Sequence, residues 1–145
     1  MTSYIRSATP ADVDAIFEVR TSVTENLLTR AQLTEMGITK ASVTQMIVDS
    51  PCAWVAVEDD EVVGFSMIDG DGGSLFAAFV LPAHEGKGLG RALVQVAEQA
   101  LFQRHKVVWL ETGKTTRAAG FYRHLGWGRQ TDVTARDIRL EKSRP

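Results

Sequence analysis

At 145 residues the chain is long enough to bury a core as a single domain, residues 1–145, and too short for two mononucleotide-binding halves. Its 44% hydrophobic and 23% charged residues exclude a fibrous or disordered chain. A net charge of −2, from 16 lysines and arginines against 18 acids, excludes a broad footprint for nucleic acid or anionic membrane. The one cysteine, Cys52, excludes an internal disulfide and a multi-cysteine metal site, and it reads as a half-buried small hydrophobe in a reducing compartment. MTSYIRSATP carries no apolar leader, and no segment approaches the ~18 continuous apolar residues of a membrane span. A cytoplasmic protein without membrane, nucleic-acid or metal partners is expected.

In chain order, Tyr4 to Ala8 is predicted as a short strand. Thr9-Pro10-Ala11-Asp12 then starts a helix, with threonine as N-cap, proline at the first helical position and an acid in the first turn. Val13, Ile16, Phe17, Val23 and Leu27 recur at helical spacing, which places Glu25 late in this helix. After a polar stretch around Leu33 to Gly37, Thr39 caps a second helix with Val43, Met46 and Ile47 inward, ended by Asp49-Ser50-Pro51. Trp54 to Val57 and Val62 to Ile68 read as strands joined by the polar turn Glu58-Asp59-Asp60-Glu61. Gly70 to Gly73 is a further turn, and Leu75 to Val80 a third apolar strand. Leu89, Leu93, Val96, Ala97, Ala100 and Leu101 form the stripe of a helix of about four turns, and Val107 to Leu110 returns as a strand. A strand, helix and strand of this length form a crossover, so the strands ending at Val80 and Leu110 should lie parallel and close together. A last helix, from about Thr116 to Leu125, stops at Gly126, and Trp127 to Val133 with Ala135 to Leu140 closes as a hairpin. That hairpin offers an edge for a homodimer.

The segment Leu81 to Leu93, LPAHEGKGLGRAL, alternates Gly86, Gly88 and Gly90 just before the amphipathic helix. Amides at a helix start lack intrahelical partners and sit at the positive end of the dipole, so a phosphate fits there. Glycines keep side chains out of its way, although they also suit a tight strand-to-helix turn. Gly113-Lys114-Thr115 imitates the end of a Walker loop, but Val108 occupies the position where that loop needs glycine. A dinucleotide fingerprint is the other reading: Gly88-Leu89-Gly90 precedes a helix and Glu111 follows about twenty residues on, yet Leu93 stands where its third glycine belongs.

The run FVLPAHEGKGLGRAL resembles motif A of the GCN5-related N-acetyltransferases (GNAT), and RAAGFYRHLGW resembles their motif B. The resemblance extends over most of the chain. It implies an α/β fold: one domain with a mixed, largely antiparallel sheet, a splayed parallel pair at its centre, and about four flanking helices. It also implies acetyl-CoA as co-substrate and no metal. Ala78, Phe79 and Val80 would line the acetyl and pantetheine end, Gly86, Lys87, Gly88, Leu89, Gly90 and Arg91 would cradle the pyrophosphate, and Thr115 would stand where the family commonly has an asparagine on the pantetheine. Glu85 departs from the family's usual glutamine or arginine.

Transfer to an amine needs a base, because a lysine-like amine with a pKa of about 10.4 is protonated at neutral pH. It also needs an oxyanion donor, for which the resemblance points to the main-chain amide near Val80, and it gains from an acid for the departing thiolate. By resemblance Tyr122 is that acid, though an amphipathic helix would equally pack it, with Phe121 as the more buried of the two. Glu111, Glu25 or a water relay could serve as base, and both glutamates also read as solvated acids. Trp54 and Trp127 are read as sheet core with a chance of bordering the acceptor site. The expected activity is acetyl transfer to a small-molecule or protein amine. A non-catalytic CoA-binding sensor and a dinucleotide-binding domain are the alternatives.

Overall fold

The computed structural model describes residues 2–145. The chain runs β1 (Ser3–Ser7), a 3-10 turn, α1 (Val13–Arg20), α2 (Arg30–Glu35), α3 (Lys40–Asp49), β2 (Ala53–Glu58), β3 (Glu61–Asp69) and β4 (Ser74–Val80). After a second 3-10 turn follow α4 (Leu89–Phe102), β5 (Val107–Gly113), α5 (Arg117–His124), β6 (Gly128–Asp132) and β7 (Asp137–Ser143). The seven strands form one sheet in the order β1-β2-β3-β4-β5-β7-β6. Every neighbouring pair is antiparallel except β4 and β5, which run parallel as the crossover through α4 requires. Helices cover both faces: Gly64 faces Leu93 of α4, and the next residue, Phe65, turns to the opposite side with α1. All of β2 is buried accordingly.

Two features position the site. The parallel pair is joined at a single register position, Ser74 opposite Trp109, after which the strands diverge. Gly64 lies beside the divergence, where an added β-carbon would come within 2.9 Å of the Phe79 carbonyl oxygen and 3.1 Å of Leu93. Only a residue without a side chain lets α4 sit this close to β3 and β4.

Several expectations are corrected. The first helix ends at Arg20, because the Thr21 and Ser22 hydroxyls turn back to the Phe17 and Glu18 carbonyls at 2.8 and 2.6 Å. Val23 is buried from the following loop, Leu27 is exposed, and Glu25 belongs to that loop rather than to a helix. The polar stretch before Thr39 contains α2, a fifth helix held by reciprocal Thr29 and Gln32 capping bonds and buried through Leu33. On α4, Val94 and Glu98 are fully buried while Val96 and Ala100 are only partly so. Glu98 accepts from Trp127 Nε1 at 3.0 Å and Lys142 Nζ at 2.7 Å, which ties α4 to the C-terminal hairpin. Cys52 is buried fully, not by half, and burial pushes its thiol pKa up. Among the described residues no helix is long and apolar enough to cross a membrane.

Candidate active site

Between the diverging strands lies a groove of about 1100 Å³. Its walls are the free edge of β4, the end of β5, the glycine loop with the start of α4, and the start of α5. Ala78, Phe79, Val80, Gly86, Gly88, Gly90, Arg91, Thr115, Glu25, Glu111 and Tyr122 all line it.

The glycine loop presents a row of unused donors. Among the described residues the amides of Gly86, Lys87 and Gly88 donate no hydrogen bond, and the first-turn amides of α4 have no intrahelical partner. Gly86 and Gly88 hold φ values of 79° and 84°, the left-handed region. A β-carbon at either would meet nothing within 4 Å. Backbone conformation and clearance in front of the amides, not crowding, therefore call for glycine at both. The loop is anchored from outside: Glu58, 4% exposed, accepts from Lys87 Nζ at 2.7 Å and lies 3.2 Å from His84 Nδ1. These contacts hold the Glu58 carboxyl below its ordinary pKa, Lys87 contributing most. The Lys87 side chain is thus committed to Glu58 and does not line the groove, and the Leu89 side chain is in the core. Only their amides are available to a ligand. Glu85 lies 3.5 Å from Arg117 across the groove, so its charge meets a partner there.

Strand alternation supplies a further donor. Leu81 N–H bonds to the Val63 carbonyl on β3 at 2.8 Å, so the preceding amide, that of Val80, turns the other way, into the gap. Below it Tyr122, only 8% exposed, shows its phenol to the groove without a protein hydrogen-bond partner among the described residues, and burial pushes its pKa well above the ordinary tyrosine value. The phenol stays protonated. The expected order within the Phe121–Tyr122 pair is reversed, since Phe121 is 37% exposed, its ring tip 3.6 Å from where a β-carbon on Gly90 would stand.

Glu25 has a task the sequence did not reveal. Its two carboxylate oxygens accept from the amides of Arg117 and Ala118 at 3.0 and 3.2 Å, at the first turn of α5. It joins the loop after α1 to the helix that carries Tyr122. Glu111 is exposed on β5 opposite Arg139, within the groove. Trp54 and Trp127 lie in the core and line neither cavity.

A glycine-rich helix start beside a sheet split at its parallel pair is the fold of the N-acetyltransferases. The chain belongs to the acetyltransferase (GNAT) family, whose model matches residues 15–127. Among solved structures, the PaiA N-acetyltransferase of Thermoplasma acidophilum in complex with coenzyme A is similar at 19% identity and a TM-score of 0.81, over 99% of this chain and 100% of that one. The ribosomal-protein-alanine N-acetyltransferase of Brucella melitensis is similar at 21% identity and a TM-score of 0.72, over 97% and 99%. A GCN5-related N-acetyltransferase of Rhodopseudomonas palustris follows the same fold at 17% identity and a TM-score of 0.78, over 99% and 97%. Among curated proteins no sequence matches significantly.

Proposed function

We propose that the protein transfers an acetyl group from acetyl-CoA to a primary amine. The observation that carries this reading is convergence: the unused amides from Gly86 to Arg91, the inward Val80 amide and the protonated Tyr122 all open into one groove. Bound there, acetyl-CoA supplies an acyl group activated as a thioester. The loop amides, with the charge of Arg91, hold diphosphate oxygens at the helix start. The open edge of β4 from Ala78 to Val80 pairs with the amide groups of the coenzyme's arm, and the Thr115 hydroxyl borders it. The Val80 amide donates to the acyl oxygen, where negative charge builds up as the amine attacks. Tyr122 keeps a proton at Oη for the departing sulfur.

Glu111 is the base in this reading. It is exposed in the groove and among the described residues forms no ion pair, its neighbour Arg139 lying 3.4 Å from Glu141, whereas both oxygens of Glu25 are engaged by α5. The amine's proton passes to Glu111 directly or through water. The test is CoA release from acetyl-CoA across a panel of amines. Turnover that falls at least 30-fold in Tyr122→Phe, with the KM for acetyl-CoA little changed, supports the reading. Coenzyme binding with no turnover on any amine makes the protein a CoA sensor instead. Thermal protection by NAD rather than CoA returns the dinucleotide reading.

A further inference from the structure

A second cavity, of about 240 Å³, lies on the α1 face of the sheet. Its floor is apolar: Leu33, Val43, Phe65 and Met67 are buried, and Met36 and Phe76 stand exposed at its rim. It shares a wall with the groove, since Asn26, Phe76, Ala77 and Phe79 line both. One charged side chain lines it. Arg20, at the last turn of α1, lays its guanidinium 4.4 Å from the centre of the Phe79 ring and donates through one NH1 to the Asn26 carbonyl at 3.0 Å. Among the described residues no carboxylate lies within ion-pair distance of it, and none of its other N–H groups finds an acceptor. A half-buried guanidinium presents five donors in a planar fork suited to a carboxylate. Burial alone lowers its pKa below the ordinary arginine value. The protein therefore holds a partly desolvated cation without a counter-charge at the mouth of an apolar pocket, an arrangement that costs free energy unless a ligand supplies the anion.

We infer that the acceptor is a small amine bearing both a carboxylate and an apolar side chain, the chemistry of an apolar amino acid, with Arg20 binding the carboxylate and the second cavity taking the side chain. The inference rests on the acetyltransfer reading and specifies the substrate class. Phe79, over which Arg20 lies, directly precedes Val80, whose amide faces the groove. The two cavities also share the wall formed by Asn26, Phe76, Ala77 and Phe79, so a carboxylate on Arg20 and an amine at the groove edge can belong to one small molecule. In the reaction the amine nitrogen bonds to the acyl carbon and the carbon–sulfur bond breaks. The acceptor arrives as an ammonium and gives up two protons, one to the base or water before attack and one as the amide forms. The sulfur takes one proton from Tyr122, which is reprotonated from solvent, and the net second proton is released to solvent. The products are an N-acetyl amino acid and CoA.

The first arm of the test compares matched acceptors on the unaltered protein, where no variant has to fold. Leucine should exceed 3-methylbutylamine, which lacks only the carboxylate, and alanine, whose methyl side chain leaves the cavity unfilled, by at least 30-fold each in kcat/KM. In Arg20→Met the preference for leucine over 3-methylbutylamine should collapse to within a few-fold, and Arg20→Lys, which keeps the charge, should recover part of it. Equal or better turnover of the carboxylate-free amine, or a preference that survives Arg20→Met, overturns the inference. Titration with N-acetyl-leucine, followed by NMR, separates the two readings. Arg20-dependent binding without turnover on any amine keeps the pocket assignment and sinks the catalytic one. Turnover of other amines with no binding of N-acetyl-leucine does the reverse.

Discussion

On the proposed coenzyme side of the groove, consecutive residues from Gly86 to Arg91 offer main-chain donors, and apart from that of Arg91 their side chains point elsewhere or are absent. On the proposed acceptor side, Arg20, Asn26, Phe76 and Phe79 come from a helix, a loop and a strand, and it is their side chains that shape the cavity. A site made of backbone is sensitive to conformation and indifferent to most side-chain chemistry. A site made of side chains is the reverse. The same fold can thus keep one coenzyme while its acceptor changes by substitution at a few positions.

Four perturbations break or sharpen this contrast. The largest effect is expected from Gly88→Val, because a β-branched residue at a φ of 84° must rebuild the loop. Calorimetry should show the Kd for CoA rising about 100-fold, equivalent to about 2.7 kcal/mol, while the fold persists. Next is Gly64→Ala, whose methyl group would meet the Phe79 carbonyl at 2.9 Å. A loss of about 1–3 kcal/mol in urea unfolding is expected, with CoA binding weakened because β4 and α4 are pushed apart. Glu25→Ala removes both acceptors from the first turn of α5. It should cost about 1 kcal/mol of stability and lower kcat by loosening Tyr122, and Glu25→Gln, which keeps one acceptor oxygen but turns an NH2 towards the other amide, should recover only part of the loss.

The smallest effect concerns Glu58. Its carboxyl titrates below the ordinary value in the folded protein, so its stabilising contribution is complete above the unfolded pKa of about 4.3 and is lost as pH falls through the lower folded value. The difference in Tm between the wild type and Glu58→Gln, measured from pH 7 downward, should be constant to about pH 5 and shrink below it. A Tm difference that grows on acidification would contradict the anchoring role.

Legibility in the sequence followed the same division. The glycine loop could be read because its residues are contiguous, and Gly86 and Gly88 each have a local backbone reason to be glycine. The crossover through α4 and the parallel pair followed from element lengths alone. In the sequence Glu58 shows only as part of a polar turn, because its partners Lys87 and His84 lie 29 and 26 residues away. Glu25 was misplaced for a related reason: Val23 and Leu27 continue the helical period, but the hydroxyls of Thr21 and Ser22 close the helix first. The Thr29–Gln32 spacing is a capping signal for α2, but with only Leu33 of that short helix buried no apolar stripe accompanies it. Phe121 and Tyr122 are neighbours on one helix, and which of them faces inward depends on how α5 docks, which spacing alone does not determine.

The single bridge between Ser74 and Trp109 has a mechanical side. It leaves the molecule as two ribbons, β1 to β4 and β5 with the terminal hairpin, stitched at one rung and spanned by α4. A ligand threaded through the seam would complete the hydrogen bonding of both borders, much as an inserted strand would. Resistance to heat should therefore be a property of the loaded protein more than of the empty one, and it should rise with coenzyme concentration.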